Sequence, residues 1–184
     1  RRKHWHKNCV AIGLSAGFIE PLEASALVLV EGSASMISRD LPAHRGVMDI
    51  CAKRFNSRLT YYWESIVDFL KLHYVLSKRR DSQYWIDNVS EESIPSRLQE
   101  SLVLWRHQVP NKYDFPLAEE MFPAASWQYV LYGMGFKTES VINANRAFSS
   151  NDAAKQIFSE VESFTSKCLA SLPKHRDLID KIHK

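Results

Sequence analysis

The chain has 184 residues, 45% hydrophobic and 24% charged, with a formal net charge of +3 at pH 7. That is enough for one substantial domain, or a domain and a remnant of another, with an ordinary composition for a water-soluble fold. The small charge, with cations scattered among acids except at residues 1–3 and 78–80, argues against nucleic-acid binding, and the longest apolar run, residues 26–30, is far short of the ~20 residues of a membrane span.

The chain opens abruptly on Arg1-Arg2-Lys3-His4-Trp5, which reads as a fragment of a longer protein. Residues 9–12 read as a short buried strand and residues 13–17 as a small-residue turn. A helix is expected to open at Pro21, with Leu22, Ala26, Leu29, Val30, Ser33, Met36 and Ile37 on one face, and to end at Asp40-Leu41-Pro42. A longer helical pattern follows through Val47, Ile50, Cys51, Phe55, Leu59, Ile66, Phe69, His73 and Leu76, and the basic residues 78–80 suit its C-terminal dipole. Residues 81–92 read as a packed loop or short helix. Ser93-Ile94-Pro95 starts another helix with Leu98, Leu102 and Trp105 inward.

Pro116 and Pro123 bracket a short segment holding Met121 and Phe122, and residues 126–134 form a helix closed by Gly133-x-Gly135. Ser149 or Asn151 caps a further helix through Ile157, Val161, Phe164 and Cys168, Pro173 breaks it, and residues 177–183 resemble a last short helix. The fold class is mainly α, with one short N-terminal strand donated to a sheet lying mostly outside this chain. Three separated cysteines, Cys9, Cys51 and Cys168, fit a reducing compartment and offer no disulfide framework, so a cytoplasmic location is expected.

The densest chemistry lies at residues 13–25. Small residues let backbone approach a ligand, and a helix start offers unpaired N–H groups to an anion. Glu20 and Glu23 stand at that point, so it suits a flat cofactor, a halide or phosphate, and an acid–base group. The plainer account makes Glu23 a first-turn acid complementing the helix dipole and Glu20 a solvated residue before proline. Gly13-x-Ser15-x-Gly17 has the look of a nucleophile elbow, yet residues 18–21 delay the helix that an elbow needs. His4-x-His6 alternates as on a strand without a third ligand nearby, and His73 sits on an apolar face as a hydrogen-bonded core histidine would. No metal site is expected. Tyr61, Tyr62 and Trp63 fit a core stripe better than stacking platforms, whereas Met121 and Phe122 are placed to form a pocket wall.

The run Trp5-x-x-Asn8-Cys9-Val10-Ala11-Ile12-Gly13-Leu14-Ser15-Ala16-Gly17-Phe18-Ile19-Glu20-Pro21-Leu22-Glu23-Ala24-Ser25 resembles the C-terminal signature of flavin-dependent tryptophan halogenases. Asp68-Phe69-Leu70-Lys71-Leu72-His73-Tyr74, Arg79-x-Asp81-Ser82-x-x-Trp85 and Trp127-Gln128-Tyr129-Val130-Leu131-Tyr132-Gly133-Met134-Gly135 carry the resemblance through nearly the whole chain. It implies that residues 1–40 are the C-terminal remnant of an FAD-binding α/β module, from which the short strand is left over, and that residues 41–184 form a helical substrate-binding region. It implies an enzyme that halogenates an aromatic substrate using reduced FAD from a separate flavin reductase, oxygen, and chloride or bromide.

On this resemblance Glu23 is the catalytic, substrate-facing carboxylate, and Ser25 and Ala26 hold the halide through backbone N–H groups. Leu14 and Leu27 flank the flavin, and Met121 and Phe122 wall the substrate. Relatives commonly carry Thr-Gly or Ser-Ile-like pairs at the halide position, so Ala26 is a departure that keeps the backbone donor. Free-tryptophan halogenases carry Phe-Trp where this chain has Met121-Phe122, so another indole or a phenol is at least as well suited as tryptophan. The dinucleotide fingerprint, the Gly-Trp-x-Trp-x-Ile-Pro motif and the catalytic lysine belong upstream, and neither Lys3, Lys7 nor Lys71 replaces that lysine. The fragment alone is expected neither to bind FAD tightly nor to halogenate. The resemblance implies no nucleic-acid or membrane partner and leaves room for a homodimer. Its alternatives are a flavin-dependent aromatic monooxygenase and a non-catalytic helical interaction module.

Overall fold

In a computed structural model, which describes residues 2–139 and 144–183, the chain opens with an antiparallel hairpin of β1 (Trp5–His6) and β2 (Cys9–Val10), in register Trp5 opposite Val10. Tight 3-10 turns at Gly13–Ser15 and Leu22–Ala24 lead into α1 (Ser25–Arg39) and the long α2 (Arg45–Val75). The helices α3 (Gln83–Val89), α4 (Ser96–Trp105) and α5 (Ala124–Gly133) complete a first compact unit, Arg1–Glu139. A second unit, Ser140–Lys184, holds α6 (Ala144–Ser171) and α7 (His175–Ile182).

The spine of the first unit is α2, which touches β1, α1, α3, α4 and α5. Its start is capped by His44, whose Nδ1 accepts from the Gly46 N–H at 3.2 Å. Its inward face carries Leu59, Ile66, Phe69, Leu70 and Leu72, all buried, against Leu98 and Trp105 of α4 and Trp127 and Leu131 of α5. Burying each such side chain contributes about 1.5–3 kcal/mol. The hairpin is fastened to this spine by one amide: Asn56 Oδ1 accepts from the His4 and Trp5 N–H groups at 2.8 and 2.7 Å, and its Nδ2 donates to the Trp5 carbonyl at 2.8 Å. Asn56 thereby acts as the next rung beside β1.

The mainly α architecture with a short N-terminal strand agrees with the sequence, and several details differ. The expected strand over residues 9–12 shortens to Cys9–Val10, pairs locally with β1 and leaves Cys9 exposed, while Ala11 adds one more hydrogen bond in the same register, donating to the His4 carbonyl at 2.8 Å. Of the expected α1 face Leu29, Ser33 and Met36 are buried, joined by Ser25, whereas Ala26 and Val30 are exposed. Residues 78–80 lie beyond the end of α2. There Arg79 grips Asp81 with two hydrogen bonds of 3.0 and 2.8 Å and covers the Trp85 ring at 4.2 Å. In the second unit α6 begins ahead of Ser149 and Asn151, so neither caps it.

One charged group interrupts the apolar face of α2. Asp68 is buried, and desolvation pushes its carboxyl up from the usual 3.8 to about 6, opposed by Arg97 and reinforced by Glu64. Arg97 Nε lies 3.4 Å from Asp68, while its Nη1 is 2.9 Å from Glu64. The folded chain therefore keeps a proton that the unfolded chain has released, and stability declines as pH rises from about 4 to about 6. Below that window Asp68 is protonated in both states and imposes no penalty. Asp68→Asn is expected to flatten this decline, and urea midpoints of both proteins from pH 4 to 7 check it. Parallel pH profiles would contradict the assignment.

Candidate functional site

Residues 13–24 leave regular structure for reasons readable in their side chains. Gly13 adopts φ +58°, a left-handed conformation that favours glycine. Ser15 Oγ accepts from the Ile12 N–H at 3.1 Å and donates to the Ile12 carbonyl at 2.7 Å, so this hydroxyl closes the turn and is no free nucleophile. At Gly17 a Cβ would meet the Trp63 ring at 2.9 Å, so the turn lies directly on that indole. Both carboxylate oxygens of Glu20 stand 2.7 Å from the Tyr74 hydroxyl, a hydrogen bond that, with burial, raises the phenol well above its ordinary range.

The expected helix start at Pro21 is displaced to Ser25. Glu23 (φ +66°) and Ala24 (φ +50°) are both left-handed, which reverses the backbone just before α1. Two consecutive non-glycine residues there store strain, each costing about 1–3 kcal/mol. Glu23 is thus not a first-turn helical acid. Its carboxylate, 43% exposed, turns to α2, where Oε1 lies 3.8 Å from His73 Nε2. His73 is hydrogen-bonded as expected, with Nδ1 2.9 Å from the Phe69 carbonyl, yet its other nitrogen meets Glu23. No local pattern signals that pairing. The only cue is the adjacency of His73 and Tyr74, which meet Glu23 and Glu20 respectively.

Leu14, Ala26 and Leu27 come together, with Phe18, Val30 and Trp63, around an apolar cavity of about 300 Å³. Leu14 and Leu27 are 82% and 76% exposed, unusual for leucines unless a surface awaits a partner. Glu23 and Ser25 are not among the cavity walls. Ser25 is buried, and its Oγ has no hydrogen-bond partner; the buried Trp63 Nε1 has none either. Such groups are costly, about 1–3 kcal/mol each, and native structures keep them for a reason.

Phe122 is buried, its ring stacked on Phe69 at 3.9 Å and 17°, while Met121 is half-buried. Phe69 also meets the His73 ring edge-on at 5.2 Å, so a continuous line of contacts joins Glu23 to Phe122 through two α2 side chains one turn apart. Trp127 donates to the Phe122 carbonyl at 3.2 Å and holds it. Tyr61 is engaged with Glu120, which also accepts from the Leu117 N–H, so of the three aromatics at 61–63 only Trp63 reaches the cavity. Lys71 donates to Asn88 at 3.0 Å, and burial lowers its ammonium from the ordinary lysine range. Among the described residues no group of three His, Cys, Asp or Glu side chains could hold a metal ion.

A family model described as "Tryptophan halogenase" matches residues 1–150. The crystal structure of a tryptophan halogenase from Shewanella frigidimarina is 47% identical and superposes with a TM-score of 0.91 over 99% of this chain and 34% of its own. BrvH, a flavin-dependent halogenase from Brevundimonas sp. BAL3, is 30% identical with a TM-score of 0.80 over 98% of this chain and 36% of its own. Among curated proteins, the 7-chloro-L-tryptophan 6-halogenase KtzR of Kutzneria sp. (strain 744) is 28% identical over 98% of this chain and 34% of its own length. The chain spans about a third of the length of the curated relatives it matches.

The contact of Gly17 with Trp63 generates a stability test of this site. Gly17→Ala is expected to destabilise by about 1–3 kcal/mol through overpacking. In a Trp63→Phe background, which removes the ring atoms nearest the added methyl, the same change is expected to cost less. Thermal unfolding of the four proteins reads the difference, and additive effects would remove the contact from this account.

Proposed function

The chain belongs to the tryptophan halogenase family, and from that premise we propose that it supplies an FAD-dependent halogenase with its acid–base carboxylate, its halide cradle and one wall of the flavin and substrate sites. The observation that carries this reading is the buried, unpartnered Ser25 hydroxyl at the start of α1, two residues after a carboxylate held in left-handed backbone. Residues 1–40 complete the flavin module and residues 41–184 cover the substrate.

The residues present fit the cofactor and the halide. Leu14 and Leu27 present exposed apolar side chains on the cavity, a surface matched to one face of an isoalloxazine ring. When bound, reduced FAD with oxygen supplies the oxidising power that turns halide into an electrophilic halogen. The Ser25 hydroxyl and the N–H groups of Ser25 and Ala26, at the positive end of α1, suit chloride or bromide.

Glu23 acts on the aromatic substrate. As the carbon–halogen bond forms, positive charge spreads over the ring, and a carboxylate stabilises it. The carbon–hydrogen bond at the same atom then breaks, its electron pair restores aromaticity, and the proton passes to Glu23. Phe122, fixed between Phe69 and the Trp127 bond, sets the depth of the substrate wall, and half-buried Met121 offers its surface. The substrate is an aromatic small molecule of the indole or phenol class, tryptophan included, and a separate flavin reductase delivers the reduced cofactor in the cytoplasm. No helix among the described residues is long and apolar enough to cross a membrane.

In the full gene product, Glu23→Gln is expected to lower arene halogenation about 100-fold or more while hypohalous acid, trapped by a small halogen acceptor, still forms. Undiminished product would remove Glu23 from the mechanism. Ser25→Ala is expected to raise the half-saturating bromide or chloride concentration several-fold, and an unaltered halide saturation curve would remove the Ser25 hydroxyl from the cradle. Supplying bromide and finding hydroxylated but never brominated arene would assign the scaffold to a monooxygenase.

A further inference from the structure

The contact between Glu23 and His73 has a specific protonic meaning. A backbone carbonyl only accepts hydrogen bonds, so the Phe69 oxygen, 2.9 Å away, fixes the proton of the neutral imidazole on Nδ1. Nε2 then carries a bare lone pair, and it is this nitrogen that lies 3.8 Å from Glu23 Oε1. A lone pair and a carboxylate do not attract each other unless a proton sits on one of them. The pair is therefore built to share a single proton, as carboxyl with imidazole or as carboxylate with imidazolium.

We propose that His73 is the positioning residue and proton outlet of Glu23, aiming its carboxylate and relieving it of the proton taken from the substrate. This rests on the reading of Glu23 given above. The substrate C–H bond breaks, its proton passes to Glu23, then to His73 Nε2, and finally to water, which reaches the 23% exposed imidazole. No oxidant or reductant enters this relay, and both groups return to their starting state.

The surroundings favour this role. The imidazole is fixed by its Phe69 hydrogen bond and by edge-on contact with the Phe69 ring at 5.2 Å and 86°. The strained backbone of Glu23 and Ala24 is secured at its other end by Glu20 on Tyr74, the residue following His73. Consecutive α2 side chains thus take both carboxylates of the Glu-Pro-Leu-Glu turn. Among the described residues Glu23 is the only carboxylate within ion-pair reach of His73. Neighbouring ionisable groups are otherwise engaged: Glu20 by Tyr74, Lys71 by Asn88 of α3, and Tyr84 of α3 with its ring against Tyr74.

His73→Gln, which keeps polarity and approximate size but cannot titrate, tests the outlet in the full gene product. In the unsubstituted protein kcat for arene halogenation is expected to fall on the acid side, where a protonated imidazole can no longer accept the proton from Glu23. The variant is expected to lose that acid limb and to reach a plateau about tenfold or more lower, with the KM for the aromatic substrate within about twofold. A variant that keeps the acid limb overturns the proposal, as does an unsubstituted protein that shows none. A second arm leaves His73 in place: its 15N-histidine resonance is followed against pH with and without Glu23→Gln. Loss of the carboxylate 3.8 Å from Nε2 is expected to move the Nε2 resonance, and an unmoved resonance overturns the pairing. If the full gene product halogenates no arene, the reading of Glu23 fails, while this titration still decides whether the two side chains are coupled.

Discussion

The structure of the site depends on one helix holding four points of the N-terminal segment. Along α2, about 46 Å long at the standard rise, Asn56 pairs with the backbone of the hairpin and Trp63 lies under Gly17. Further along, His73 meets Glu23 and Tyr74 binds Glu20. These contacts cover the whole route from β1 to the start of α1. Most of that route has little regular structure, so its path is fixed by side chains from elsewhere. The helix can serve as this ruler because Leu59, Ile66, Phe69 and Leu72 beside these contacts are buried in the core it shares with α4 and α5, which locks its rotation.

That support offsets the unfavourable features gathered at residues 23–25. Two left-handed non-glycine residues and an unpartnered buried hydroxyl lie in succession, with a second unpartnered donor on Trp63. In a neutral scaffold, such features would be removed by ordinary substitutions, such as glycine at position 23 or 24 and alanine at position 25. Their concentration at the turn between the apolar cavity and the Glu23–His73 pair is the usual mark of a segment shaped for chemistry. The aromatic cluster of Phe69, Trp105, Phe115, Phe122 and Trp127 supplies packing energy that reaches the turn through the Phe69–His73 contact.

Helices were the legible part of the sequence because hydrophobic period is a local signal repeated over many turns. The pattern from Val47 to Leu76 stands out, and α2 follows it closely. The strand at residues 9–12 was overextended because an apolar run does not reveal where its partner ends, and β1 offers only two residues. The start of α1 was misplaced because Pro21 is a good first helical residue, while left-handed geometry at Glu23 and Ala24 has no composition signature. At the site, Glu23, Ser25, Leu14 and Leu27 were named through family resemblance. The Phe69 hydrogen bond of His73 is legible from its apolar helical face, but its contact with Glu23 and the hold of Asn56 on the hairpin are not: each acts across a long stretch of chain, and nothing local to a histidine says which carboxylate will arrive beside it.

On the proposed function, the same helix ties the acid to the substrate wall. His73 and Phe69 are one turn apart, and Phe69 stacks face to face on Phe122 at 3.9 Å. Phe122 therefore cannot grow into a larger ring in place without moving Phe69, and Phe69 carries both the carbonyl and the ring edge that orient His73. On the proposed function, the residue that sets pocket depth and the residue that sets the carboxylate's aim share one support. A change of substrate size at Met121-Phe122 would then be felt at Glu23 with no direct contact between them. Specificity and acid–base geometry would have to be adjusted together, and a phenylalanine at position 122 suits the close stacking that keeps Phe69, and through it His73, in place.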